Sequence, residues 1–233
     1  MAIAVNRPQP FADSTQDGAP GRRGRYGEAY TVPLGNWRAN LADEGSYFAA
    51  ITPTPGTGIV DGVVTTFVET TPNLVVYNGS DNRVYLDFLR LIVTVAPVGG
   101  TRVQFTGTID EGNRYTSGGT ALTINNVNQN SDRASGVSAY KGAITASAAS
   151  SNRRVLFHTI YRWGTIGIVG DVYEMVFGGP EVGTITPVAT VSTFSKGVVP
   201  VVIGPGESFL LTQWEASQST APTTAVEMGF YTR

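Results

Sequence analysis

The stretch YLDFLRLIVTVAPV, residues 85–98, decides the fold. It opens on mixed apolar and polar positions and becomes a nearly continuous apolar run, the pattern of a central strand covered on both faces. Pro97, Gly99 and Gly100 stop it. A second strand candidate begins at Thr101, at hairpin distance. Within Thr101–Ile109, Val103, Phe105 and Ile109 share one face while Arg102, Gln104, Thr106 and Thr108 share the other. This period of two is the signature of a half-buried antiparallel strand.

The same alternation recurs outward from this centre. Ala225–Tyr231 sets Val226, Met228 and Phe230 opposite Glu227, and Val155–Trp163 sets Val155, Phe157, Tyr161 and Trp163 opposite His158 and Arg162. Further strand candidates are Val63–Glu69, Leu74–Tyr77, Ala121–Ile124, Val172–Phe177, Val198–Ile203 and Ser208–Trp214, the last two joined by the tight turn GPGE at 204–207. Sustained helical periodicity is almost absent. About ten short strands between turn signals predict an all-β chain, an antiparallel β-sandwich of jelly-roll type.

Composition agrees. The 233 residues include 28 glycines and 13 prolines, above the ordinary combined usage of about 12% and without a collagen period. Charged residues make up only 15%, against roughly 25% in soluble proteins, which suits a surface buried against neighbours. The net charge of −2 supplies no basic field for nucleic acid or anionic membrane. There is no cysteine, which excludes disulfides, thiolate metal sites and cysteine nucleophiles. The first 18 residues lack the apolar core of a signal peptide, and no run is long enough to span a bilayer. Folding in a reducing cytoplasm is the expectation.

Two segments depart from the strand pattern. Residues 1–40 are rich in Pro, Gly and charge with little to bury, and are expected to form an extended N-terminal arm on a single domain spanning 41–233. Residues 125–154 are expected to form a long polar surface loop. In ADEGSYFAAITPTPGTGIVDG (42–62), Asp43–Gly45 reads as a turn from arm into sandwich. Tyr47 and Phe48 read there as docking anchors, and Pro53 and Pro55 as breaks in any ladder.

Candidate chemistry is sparse. Asp43 and Glu44 are adjacent, so on a strand they point to opposite faces and cannot converge on one substrate. Asp110 and Glu111 fall at a strand end without the spacing of a calcium loop. His158 is the only histidine, sits within a strand, and no serine has a nucleophile-elbow context. No phosphate loop is present, and Trp37, Trp163 and Trp214 read as core. The sequence therefore reads as a non-enzyme without cofactor or metal. Arg22, Arg23 and Arg25 with Tyr26 form a short basic cluster closed by Glu28, better suited to an acidic patch on a partner than to RNA. With Trp37, Tyr47 and Phe48, these are the candidate interaction residues.

LADEGSYFAAITPTPGTGI (41–59), PNLVVYNGSDNRVYLDFLRLIVTVAP (72–97) and VVPVVIGPGESFLLTQWEASQ (198–218) together resemble virion structural proteins of tailed bacteriophages. The resemblance covers about a third of the chain and carries no motif with assigned residue roles. It implies a jelly-roll-like decoration or cement protein, often a homotrimer, made in the host cytoplasm and bound on the virion to the major capsid protein and to copies of itself. Two alternatives stand beside it: a coat protein that assembles a shell on its own, and a glycan-binding fibre module using loops 110–120 and 125–154.

Overall fold

The computed structural model describes residues 37–163, 166–179 and 192–233. The chain divides into two units, Met1–Asn40 and Leu41–Arg233. After a short helix, α1 (Trp37–Asp43), the described residues form sixteen strands. The first eight are β1 (Tyr47–Ile51), β2 (Ile59–Val60), β3 (Leu74–Asn78), β4 (Val84–Val95), β5 (Val98–Gly99), β6 (Arg102–Asp110), β7 (Tyr115–Ala121) and β8 (Thr123–Asn126). The others are β9 (Val137–Ala146), β10 (Arg154–Trp163), β11 (Val172–Phe177), β12 (Thr193–Val198), β13 (Val202–Ile203), β14 (Ser208–Trp214), β15 (Gln218–Thr220) and β16 (Thr223–Thr232).

These strands make a β-sandwich. One sheet runs β12-β11-β4-β16-β1-β8, with β13 beside β4 and β2 beside β16; the other runs β10-β6-β14-β3-β9-β7. All described pairings are antiparallel except β11 with β12, which is parallel. Between the sheets lies one continuous core, to which β4 contributes Leu86, Leu89, Leu91 and Val93, and β16 contributes Val226, Met228 and Phe230. The facing strands supply Val103, Phe105, Phe209 and Leu211. Aromatic rings lock the faces together: Tyr173 meets Phe105 at 5.8 Å and Tyr161 at 5.5 Å, and Phe177 meets Phe209 at 6.0 Å.

The central strand is central but is not covered alike on its two faces. Along β4 buried and half-buried residues alternate, interrupted once at Asp87, the extra residue where Leu86 and Phe88 face Phe230 and Gly229. Conversely, β6 is covered on both faces, since Gln104, Thr106 and Thr108 are as buried as Val103 and Phe105. The expected hairpin between these strands does not form, because they belong to different sheets. Val98 and Gly99 pair instead with Thr220 and Gln218. Gly99 and Gly100 take φ of +75° and +97°, the left-handed region where glycine alone is unstrained, and turn the chain from one sheet to the other.

Four further expectations change. Residues 137–146 are not surface loop but the ten-residue strand β9, held between β3 and β7. Val63–Glu69 forms no strand; instead the Val64 carbonyl accepts from Glu215 N–H at 2.8 Å. In β10, bulges between Val155 and Phe157 and between Ile160 and Arg162 break the alternation, which leaves Val155 exposed. The 198–203 candidate is split: Val198 ends β12 and Val202–Ile203 forms β13, with a break at 199–201 consistent with Pro200 having no ladder donor.

Phe48 is a core residue and not a docking anchor. It is 1% exposed and its ring stacks on Phe230 with centroids 5.5 Å apart. Substituting Phe48 with Ala is expected to lower the unfolding free energy by about 3–5 kcal/mol, the usual range for a buried phenylalanine. Urea unfolding measures this, and a change under about 1 kcal/mol would contradict the core assignment.

Candidate interaction surface

The pleat that sends Phe48 inward sends its neighbour Tyr47 to the outer face of the eight-stranded sheet. Register there aligns Val202 with Tyr85, Tyr85 with Tyr231, and Tyr231 with Tyr47, so β13, β4, β16 and β1 contribute one residue each to a single cross-strand row. The Tyr85 and Tyr231 rings stack at 4.9 Å and 3°. Tyr47 Oη donates to Asp87 Oδ2 at 2.6 Å, the bulge in β4 having turned that carboxylate outward. Arg233 lies over the Tyr231 ring at 5.9 Å.

The next rows are shaped by a glycine and an arginine. Gly229 pairs with Phe88 and Ala49, and a Cβ there would overlap both the Phe88 ring and the Tyr47 hydroxyl. Its absence lets these side chains lie flat on the sheet. Arg90 pairs with Glu227 and Glu174 on its two flanking strands. Its Nε donates to Glu174 Oε1 at 2.6 Å and its Nη1 to Glu227 Oε2 at 3.2 Å, while the guanidinium sits 4.9 Å over Phe88. The result is a largely aromatic face on which Arg90 is paired with two glutamates.

Other candidate residues fall apart from one another. Arg22, Arg23, Arg25 and Tyr26 lie outside the described residues. Trp37 is 44% exposed at the start of α1 with Arg38 5.1 Å from its ring centroid, not core. Asp43 ends α1, and the turn follows it: Gly45 takes φ +68° and donates to Ala42 O at 3.0 Å, while Ser46 N–H reaches Leu41 O at 2.8 Å. This is the Schellman cap of a helix C-terminus. Asp43 and Glu44 are both exposed. The sequence reading missed Tyr85, Phe88, Arg90 and Tyr231. For Tyr85, Phe88 and Arg90 the signal was the outward phase of YLDFLR, hidden by taking that strand as covered on both faces; for Tyr231 it was the outward phase of Ala225–Tyr231.

Candidate catalytic groups are engaged in structure. His158 Nδ1 lies 3.0 Å from Thr106 Oγ1, which also accepts from Trp214 Nε1–H at 3.0 Å, so the threonine hydroxyl can donate to the imidazole. This places Trp214 on the outer face of the six-stranded sheet and not in the core. Asp110 accepts from Arg114 and from the Ser150 hydroxyl and backbone N–H. Ser150 and Arg114 together hold its carboxyl below the usual carboxylate range against the opposing effect of burial. Among the described residues no group of three His, Asp or Glu side chains could hold a metal ion.

One carboxyl is held well away from its ordinary state. Glu215 is buried at the crossing between sheets, against Gly100, and accepts from the Arg102 backbone N–H. Burial pushes its pKa up to about 7, partly countered by backbone hydrogen bonding and by Arg102. A carboxyl with a raised folded-state pKa contributes stability that is full below its unfolded value and is lost as pH rises through the folded one. Stability is therefore expected to fall between about pH 4.5 and about pH 7, and Glu215→Gln to flatten that slope. Thermal melts across this window test it; an unchanged slope in the variant would assign the dependence elsewhere.

No family model, curated protein or solved structure matches the chain.

Proposed function

We propose that this chain is a structural virion protein that binds and stabilises a phage capsid, meeting the major capsid protein and sister copies through the outer face of its eight-stranded sheet. The observation that carries this reading is the aligned row Val202–Tyr85–Tyr231–Tyr47 on a rigid sheet. Protein interfaces favour tyrosine, phenylalanine and arginine over lysine, glutamate and aspartate. Tyrosine in particular offers a large contact area at low side-chain entropy cost. The face carries three tyrosines, Phe88 and Arg90 beside the carboxylates of Asp87, Glu174 and Glu227, and it has no lysine among these residues; the chain as a whole has only 2 lysines against 14 arginines. The capsid as partner comes from the phage-like phrases at 41–59, 72–97 and 198–218, and the trimer from the same resemblance.

A binding role of this kind asks little of the domain except shape. Pairing of Arg90 with two glutamates keeps charge on the face, partly neutralised and with a net negative excess. Such pairs set register and partner choice more than affinity. Half-buried Tyr85 and Tyr231 supply the ring area whose burial contributes most to binding, while Tyr47, only 8% exposed, adds little area of its own.

Changing Tyr85 and Tyr231 together to Ala is expected to lower occupancy on purified particles at least tenfold, about 1.4 kcal/mol. Both side chains are only half-buried, so the variant should keep a cooperative unfolding transition. Wild-type occupancy in a folded variant would remove this face from the interface. Binding of the variant lost to glycan but kept to particles would favour the fibre-module alternative.

A further inference from the structure

Both lysines of the chain reach from one sheet to the other. On one side of the sandwich Lys196 of β12 donates to Ile160 O of β10 at 2.6 Å. On the other side, Lys141 of β9 is 0% exposed and its amine meets Asp61 Oδ1. Asp61 is 2% exposed and immediately follows β2, the short strand beside β16. Thr224 of β16 donates through its hydroxyl to the other carboxylate oxygen, Oδ2, at 2.9 Å. Amine, carboxyl and hydroxyl thus come from three strand regions and converge in the core.

Lys141 is held by strand pairing on both sides, and Asp61 by its backbone N–H. Lys141 is in register with Leu74 of β3 and Thr120 of β7. Asp61 N–H donates to Pro222 O at 3.0 Å. Burial pushes the Lys141 amine well below the usual lysine range, toward the free base that acts as a nucleophile. Holding two charges in such a place costs several kcal/mol per ion before their attraction repays it. Transfer of one proton from Nζ to the carboxylate cancels both charges and leaves an amine facing a carboxylic acid.

We propose that Lys141 and Asp61 are joined by an intramolecular amide bond that clamps the two sheets together. Nζ attacks Cγ of the protonated carboxyl, forming a C–N bond. The Cγ–Oδ1 bond breaks, and Oδ1, the oxygen facing the amine, leaves as water with a proton from Nζ. Oδ2, already receiving the Thr224 hydroxyl, becomes the amide carbonyl oxygen. One water is released, and no oxidant, reductant or further reactant takes part. Fixed juxtaposition of two groups in a water-excluded site supplies the advantage that intramolecular reactions gain from pre-set geometry. Thr224 polarises the carbonyl in the manner of an oxyanion donor. The product replaces a buried ion pair with a neutral amide whose carbonyl keeps its hydrogen bond.

The test uses the full chain purified in its folded state and then denatured. Its intact mass is expected to be lower than the sequence mass by one water, and an amine-reactive label applied in denaturant should mark Lys196 but not Lys141. Proteolysis should release a branched peptide joining the segments around 61 and 141. Asp61 precedes Gly62, and such a pair can also lose water by closing a succinimide on the backbone. That product leaves Lys141 open to the label and gives no branched peptide, and its water loss persists in Lys141→Arg. Full sequence mass, a labelled Lys141, or water loss surviving Lys141→Arg would each overturn the proposal. Thr224→Val is expected to leave a larger unlinked fraction; equal linkage in that variant would remove the threonine from the reaction but not the bond.

Discussion

The structure hangs on the burial of one face of β4. This strand pairs with β11, β13 and β16, so most of the eight-stranded sheet is ordered around it. Its inward residues Leu86, Leu89, Leu91 and Val93 meet the opposing sheet across a core with almost no exposed area. Burying such side chains contributes about 1.5–3 kcal/mol each relative to leaving them exposed. A one-residue slip of β4 would turn Asp87 and Arg90 toward that core and the leucines outward. Asp87 absorbs the irregularity in the pairing between Gly229 and Phe230, a second one falling at Thr223/Thr224, and the register of the aromatic row on the outer face follows from it.

Part of the scarce charge is placed inside. Asp61, Asp87, Asp110, Asp171 and Glu215 are all buried, and each is tied to hydrogen-bond donors. Asp171 shows the principle most fully. It accepts from Arg162 Nη2 at 2.8 Å, Ile168 N at 2.9 Å, Tyr173 Oη at 3.0 Å and Ser192 N at 3.3 Å, joining β10 to the segments flanking β11 and β12. Buried carboxylates without partners would be prohibitive, so each one fixes its surroundings. The connections between sheets, where strand pairing gives no register, are held in this way.

How much of this was legible follows from the kind of signal each segment carries. Val172–Phe177 and Ser208–Trp214 were read with their bounds as they stand because their apolar residues announce strands without help. β9 was missed because VSAYKGAITA hides its inward positions as alanine, glycine and a lysine. A lysine reads as surface until a carboxylate on another strand is known to meet it. The hairpin after Val95 was misread because Gly99 and Gly100 serve a hairpin and a change of sheet equally well; what decides is the pairing of Val98–Gly99 with Gln218–Thr220, far along the chain. Tyr47 and Phe48 were rightly noticed as aromatic and wrongly given one job, when a strand must send them to opposite faces.

The two faces of β1 join the core to the outer face of the sheet. Inward, Phe48 stacks on Phe230 within the shared core; outward, Tyr47 completes a row whose other members sit on β13, β4 and β16. The row is straight only because the core fixes register on the other side of the same strands. Lysines, with long mobile stems that are costly to order at an interface, are withdrawn from such a face and used as ties across the sandwich. A surface built from rings and paired arginine on a sheet anchored at both sides loses little entropy when a partner covers it. Such a sheet suits a domain whose work is to present a fixed shape to its neighbours.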